Sequence, residues 1–373
     1  MGSEQEARAE IDRLLTAAGW HVQDAKAANI LAAQGVAIRE FELKDGHGTA
    51  DYMLYVDGKA VGVLEAKKKG FTLSCVETQS DKYVKGLPDG LPAWRKPLPF
   101  AYESTGEETR FTNGFDPQPR SRGVFAFHKP ELLAEWVKYA LPSAGEPPPS
   151  FLARMSAMPA LVVADLWPAQ ITAVKNLEKS LAENRPRSLI QMATGSGKTY
   201  TAISFIYRLI KFAGARRVLF LVDRGNLGDQ TLKEFQQYES PYNNFKFSEE
   251  YIVQRLTSNK LDTTARVCIC TIQRMYSMLR GRELAEEDEE VSVEGLEKVY
   301  KDIPPIEYNP KIPIETFDII ITDECHRSIY NLWAQVLEYF DAYLIGLTAT
   351  PSKQTFGFFH QNLVMEYNHE MAV

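Results

Sequence analysis

One short stretch limits what this chain can fold into more than any other: Gln191-Met192-Ala193-Thr194-Gly195-Ser196-Gly197-Lys198-Thr199. It follows an apolar run, Ser188 to Ile190, and precedes a pattern that puts Ile203, Ile206, Leu209 and Ile210 on one helical face. Strand, glycine turn, Lys-Thr and helix in this order make a phosphate cradle. Thr194 to Gly197 form the turn, and Gly195 and Gly197 let the backbone approach an anion with no Cβ in the way. Several N–H groups and the positive end of the helix then face that anion. Lys198 adds a point charge near the terminal phosphates, and Thr199 offers a hydroxyl to Mg2+. Met192 stands where the full G-x4-G-K-[ST] pattern has glycine.

A chain of 373 residues has room for two cores. No apolar run approaches the ~20 residues of a membrane span, so no membrane partner is expected. The polar N-terminus does not read as a signal peptide. Cys75, Cys268, Cys270 and Cys325 show neither metal spacing nor a disulfide framework, which points to a reducing, cytoplasmic compartment. The net charge of −7 arises in the run Glu283 to Glu297, which holds Glu283, Glu286, Glu287, Asp288, Glu289, Glu290, Glu294 and Glu297 and no basic residue. The remainder is near neutral, which leaves room for a local basic channel. The acidic run reads as a solvated insertion, with a regulatory role as the alternative.

Residues 1–145 form the first expected domain. Glu4 to Gly19 has helical spacing, and Val36–Leu43, Asp51–Val56 and Lys59–Lys67 read as strands, the last two joined at Asp57-Gly58. Glu65 and Lys67 share a strand face. Asp51 joins them only in the right register. A two-residue turn pairs Asp51 with Leu64, on the opposite face, whereas a three-residue loop pairs it with Val63. We expect the second geometry or a compensating bulge. Two carboxylates at a sheet edge can hold Mg2+, which would polarise a phosphodiester and activate water, with Lys67 orienting that water. Ser74-Cys75-Val76-Glu77 reads as a capping box. On the helix it starts, Gln79 and Tyr83 are four apart and face one way. Pro88 to Lys129 interleaves Arg110, Arg120 and Arg122 with Phe111, Phe115 and Phe125. It reads either as a surface contact for single strands or phosphates, or as an irregular loop packed by its own aromatics. The lone His128 reads as structural.

Gly145-Glu146-Pro147-Pro148-Pro149-Ser150 marks a linker, taken as 146–160. In 161–373, strand-like runs recur at Ser188–Met192, Val218–Asp223, Val267–Thr271, Phe317–Thr322 and Tyr343–Leu347, with helical patterns between several of them. This alternation predicts a mostly parallel sheet covered on both faces. Asp323-Glu324-Cys325-His326 ends an all-apolar strand, where ligand groups belong. Asp323 there can hold Mg2+, and Glu324 can polarise an attacking water.

These residues carry a resemblance. Asp51, Glu65 and Lys67 with Gln79 and Tyr83 resemble the PD-(D/E)xK nucleases with a Q-x3-Y helix. In that family the Asp and Glu bind metal, the Lys is catalytic, and the Gln/Tyr helix supports the site or contacts DNA. Glu6 is placed as an accessory acid. The second half resembles superfamily 2 helicases and translocases. Gln170 would read adenine, Gly195–Thr199 would be motif I, Leu221–Arg224 motif Ia, and Thr271-Ile272-Gln273 motif Ib. Asp323–His326 would be motif II and Thr348–Thr350 motif III. Arg224, Thr271 and Gln273 become DNA-phosphate candidates on that resemblance.

Nuclease then motor, in this order, is similar to the R subunits of type I restriction–modification enzymes. This implies a restriction-endonuclease-like α/β domain followed by a RecA-like P-loop NTPase domain. It also implies ATP and Mg2+ as cofactors, duplex DNA as substrate, and methyltransferase (M) and specificity (S) subunits as partners. The family carries a second RecA-like domain with an arginine finger worth about 10^3–10^5 in rate. The sequence stops at Val373, so we expect a fragment that hydrolyses ATP poorly alone. Two other readings stay open: a helicase–nuclease of another defence or repair system, or an ATP-gated DNA-binding module with an inert nuclease.

Overall fold

The computed structural model describes residues 2–73, 82–139, 150–284, 289–290, 304–326 and 331–372. Gln79, Cys75, the Ser74–Glu77 capping signal and the proline run of the linker lie outside the described residues. The chain divides into two compact units: Met1–Ala153 with Pro310–Glu315, and Arg154–Asn309 with Thr316–Val373. No described helix is long and apolar enough to cross a membrane.

The first unit is built on a seven-stranded mixed sheet in sequence order: β1 (His21–Asp24), β2 (Gly35–Glu42), β3 (Thr49–Val56), β4 (Lys59–Ala66), β5 (Phe100–Ser104), β6 (Thr109–Asn113) and β7 (Arg122–Val124). β1–β2 and β4–β5 are parallel, and the other neighbours are antiparallel. The central strands β3 and β4 are buried along nearly their whole length, which suits their Val, Ala, Leu and Tyr content. The helices Gly2–Ala17 and Pro130–Tyr139 belong to the same unit. Residues 88–129, read above as a surface contact or an irregular loop, instead supply three of the seven strands. Phe100, Tyr102, Phe111, Phe115 and Phe127 are buried core residues there, whereas Phe125 is exposed. His128 is also fully buried, with Nδ1 2.7 Å from the Tyr102 hydroxyl.

The second unit holds a seven-stranded sheet in which every pairing is parallel. It uses β8 (Arg187–Met192), β9 (Val218–Val222), β10 (Val253–Arg255), β11 (Val267–Thr271), β12 (Ile319–Thr322), β13 (Tyr343–Thr348) and β14 (Leu363–Tyr367). The order is β10-β11-β9-β12-β13-β8-β14. β9, β11 and β12 are buried throughout and are runs of Val, Leu, Ile, Phe and Cys, with a terminal Thr in β11 and β12. Such continuous apolar runs fit strands covered on both faces. The outer strands β1, β7, β10 and β14 leave no clear mark in the sequence, because they are short and mix polar with apolar residues.

Candidate functional site

In the first unit the β3–β4 hairpin decides the site. Asp57 and Gly58 both have positive φ, at 49° and 73°, so the turn has two residues in the mirror-image conformation. The register runs Val56↔Lys59 and Tyr55↔Ala60, then jumps to Leu54↔Gly62 and continues to Tyr52↔Leu64. Val61 is the extra residue of a bulge. Of the two geometries expected above, the three-residue loop is absent and the compensating bulge is present: the turn is tight, and one further step of the register beyond Tyr52↔Leu64 sets Asp51 across from Glu65. Directly opposed residues share a face.

Glu65 is 4% exposed, and its Oε1 accepts a 2.6 Å hydrogen bond from Lys67 Nζ. Burial pushes its carboxyl up to about 7 despite that bond, and the neighbouring Asp51 raises it further. Glu65 Oε2 has no hydrogen-bond partner. Asp51 Oδ2 accepts the Ala66 N–H at 2.9 Å, and Asp51 Oδ1 accepts from Arg8 Nη2 at 2.6 Å. Arg8 also bonds Glu40, so the first helix reaches this site through a cation, while Glu6 is exposed. Tyr83 is buried in the cluster that includes Met53 and Val63, the pair that follows Asp51 and Glu65 on the same face. Nothing in the sequence flagged Arg8, because a lone Arg on an amphipathic helix carries no pattern.

Among the described residues, no group of three or more His, Cys, Asp and Glu could hold a metal. A pair of carboxylates still suits Mg2+, which takes one or two protein oxygens and completes its shell with water and substrate phosphate. Lys67 meets only Oε1 of Glu65, so Oε2 is left without a hydrogen-bond partner in a buried acid whose carboxyl is raised. These groups therefore fit a divalent ion.

In the second unit, Gly195 and Gly197 sit at φ 81° and 79°, a conformation that favours glycine. Gly197 caps the helix Lys198–Lys211. Thr194 and Gly195 are exposed, while Ser196 turns inward and donates to the Ala193 carbonyl at 2.6 Å. Lys198 Nζ lies 3.6 Å from Glu324 Oε1. Asp323 Oδ1 accepts the Glu324 N–H at 3.0 Å. Burial, then the Glu324 charge, raises the Asp323 carboxyl to about 6. Lys198, Asp323 and Glu324 thus meet at the ends of β8 and β12, where an open parallel sheet places its ligand groups. Glu234, a half-buried carboxyl raised by burial with Gln230 and Thr199 pulling the other way, carries no mark in the sequence. His326 Nδ1 lies 3.0 Å from Thr348 Oγ1, tying the end of β12 to the end of β13.

Gln170 is buried, with Oε1 on the Trp167 N–H at 2.9 Å and Nε2 3.4 Å from the Gly197 carbonyl. It braces the glycine loop. Of the DNA candidates, Arg224 is exposed, whereas Thr271 and Gln273 are buried. Thr271 caps the helix Ile272–Leu279, donates to Glu289 at 3.2 Å and is fully buried. Gln273 is 2% exposed and donates to the Asp223 carbonyl at 3.2 Å. Both side chains cap and brace the strand ends, a use that a motif read as a string does not reveal.

The fold and its two sites define a restriction-endonuclease-like α/β unit joined to a P-loop NTPase unit. The family model described as type III restriction enzyme, res subunit, matches residues 164–353, just over half of the 373. The second domain of the EcoKI type I endonuclease subunit matches residues 6–111. The chain belongs to the restriction-enzyme family of the res-subunit model, and it is similar to the endonuclease (R) subunits of type I enzymes. The EcoKI endonuclease subunit of Escherichia coli (strain K12) is 26% identical over 438 residues, covering 100% of this chain and 34% of the relative. The EcoAI endonuclease subunit of Escherichia coli is 26% identical over 314 residues, covering 79% and 33%. The chain thus spans about a third of the length of these relatives. A solved fragment assigned to an HsdR subunit from Vibrio vulnificus YJ016 covers 97% of this chain and 58% of its own, at 21% identity and a TM-score of 0.36.

Proposed function

We propose that the chain carries the nuclease and the first motor lobe of a type I restriction enzyme, cutting DNA phosphodiesters with Mg2+ and coupling this to ATP-driven translocation along duplex DNA. The observation that carries the nuclease half is the bulge-set pairing of Asp51 with Glu65 beside Lys67. Asp51 and Glu65 would hold the metal, which when bound supplies polarisation of the scissile phosphate and an activated water. Lys67 would orient that water and answer the developing charge. Gln79 and Tyr83 would support the site or touch the strand.

In the other unit, Thr194–Thr199 would wrap the phosphates of ATP, with Lys198 on the terminal ones. Thr199 and Asp323 would hold Mg2+, and Glu324 would polarise the attacking water. Gln170 would meet adenine from the edge of the loop it braces. Methyltransferase and specificity subunits would supply sequence recognition in the cytoplasm.

A second reading, an ATP-gated DNA-binding module with an inert nuclease, gains support from one contact: the Arg8 guanidinium already occupies Asp51. Nicking of supercoiled plasmid in Mg2+, with D51A as control, separates the two. Nicking that D51A abolishes supports the nuclease. No nicking at any Mg2+ or Mn2+ concentration, together with nucleotide-dependent DNA binding, supports the module.

A further inference from the structure

Of the acidic run Glu283–Glu297, the structure describes residues 283–284 and 289–290, and the rest lies outside the described residues. Glu289, from its middle, is 5% exposed. Its Oε1 accepts a 2.7 Å hydrogen bond from Arg274 Nε, and Thr271 donates to the same oxygen at 3.2 Å. Its Oε2 lies 3.9 Å from Arg255 Nη2. Arg255 and Arg274 are themselves almost fully buried, and Arg255 Nε has no hydrogen-bond partner, with Asp229 3.4 Å away as its closest ion pair. Glu290 is exposed, yet its carboxylate lies so close to Gly225 that a Cβ there would collide with it. A Cβ on Gly228 would collide with Arg255 Nε. The first turn of the helix Gly225–Gln237 therefore leaves room for a guanidinium and an oxyanion at once.

This pocket lies at the carboxyl ends of β9 and β11, adjacent parallel strands. Two helices, Gly225–Gln237 and Ile272–Leu279, start there. Their first N–H groups favour an anion. Burying two guanidiniums and a carboxylate is costly where apolar side chains would pack as well. The arrangement makes sense if the guanidiniums serve an oxyanion that comes and goes.

We propose that this pocket is a seat for a backbone phosphate of DNA, and that Glu289 and Glu290 are its internal competitors, filling it until DNA displaces them. The proposal rests on the reading of the β9 and β11 ends as a DNA surface and adds regulation to it. It gives the buried Thr271 a role as well: its hydroxyl holds the carboxylate now and the phosphate after exchange.

The test is anisotropy of a fluorescein-labelled DNA duplex against the full chain over a series of NaCl concentrations, with thermal midpoints recorded for every variant. E289Q/E290Q should bind about tenfold tighter, and its plot of log Kd against log salt should steepen by about one phosphate contact. R274Q added to that background should remove the gain. E290Q alone disturbs no buried charge and should tighten binding about twofold to threefold even if the double variant folds poorly. If R274Q weakens duplex binding but neither acid-to-amide variant strengthens it, the DNA surface stands and the competition is overturned. If R274Q and R224A both leave duplex affinity unchanged, the underlying reading fails and the proposal with it.

Discussion

In the second unit the loop that would hold a phosphate is one uninterrupted stretch, Ala193–Thr199, and its companion acids Asp323 and Glu324 directly follow a strand of buried residues. In the first unit Asp51 and Glu65 sit on different strands, and they face each other only because Val61 shifts the register by one. One site is written locally, and its backbone does most of the positioning. The other is assembled by pairing across a hairpin, so it depends on the whole sheet. The two should therefore fail independently and in different ways.

The largest expected effects are reciprocal. D51A should lower plasmid nicking by at least about 10^3-fold, as removal of a metal-binding or catalytic group commonly does, and leave nucleotide binding intact. K198A should remove binding of a fluorescent ATP analogue and leave nicking intact. Loss of both activities in either variant would mean that the two chemistries are not separable.

Glycine substitutions should sharpen the contrast. A Cβ on Gly62 would sit 2.5 Å from the Phe100 carbonyl oxygen, backbone that cannot swing away. G62A should pry β4 from β5, lower stability by about 1–3 kcal/mol in urea titration, and reduce nicking while the ATP analogue still binds. A Cβ on Gly197 would lie 2.5 Å from Gln170 Nε2, at a φ of 79° that L residues resist. G197A should weaken nucleotide binding by about tenfold, the equivalent of 1–2 kcal/mol of left-handed backbone cost, and leave the nuclease unit alone. Equal damage to both functions by G62A would break the comparison.

The same difference explains what could be read in advance. Thr194–Thr199 and Asp323–His326 are contiguous, and the strands around them, β9, β11, β12 and β13, are mostly apolar and buried, so sequence pattern reached them. A compensating bulge is one of the two expected geometries, but its position at Val61 left no mark in the sequence. It comes from the meeting of a tight Asp57-Gly58 turn with a strand whose Ala60 also bonds Pro92 and Trp94. Arg8, Glu234 and Glu289 reach their sites across long stretches of chain, and each looks like an ordinary surface charge in sequence. Residues 88–129 misled because Arg–aromatic interleaving has the same composition on a DNA-binding surface and in a sheet whose arginines lie over buried rings, as Arg122 does over Phe111 at 4.9 Å.

The smallest expected effect concerns Glu65 alone. Burial holds its carboxyl near 7 in the folded chain, with the Lys67 hydrogen bond pulling the other way. In the unfolded chain it titrates near the ordinary glutamate value of about 4.3. As pH rises between those values, the unfolded chain releases the Glu65 proton while the folded chain keeps it. Stability is therefore lost through that window, and the loss is complete above about 7. E65Q removes the titration while keeping the shape and an oxygen for Lys67. In urea titrations it should match the wild type near pH 4 and exceed it at pH 8 by an amount on the order of 1–3 kcal/mol, even though nicking is gone. A site kept for chemistry at a cost in stability behaves this way. If E65Q is instead less stable than the wild type at pH 8, the ionised Glu65–Lys67 pair is holding the sheet together, and the case for a waiting cation site in the first unit weakens with it.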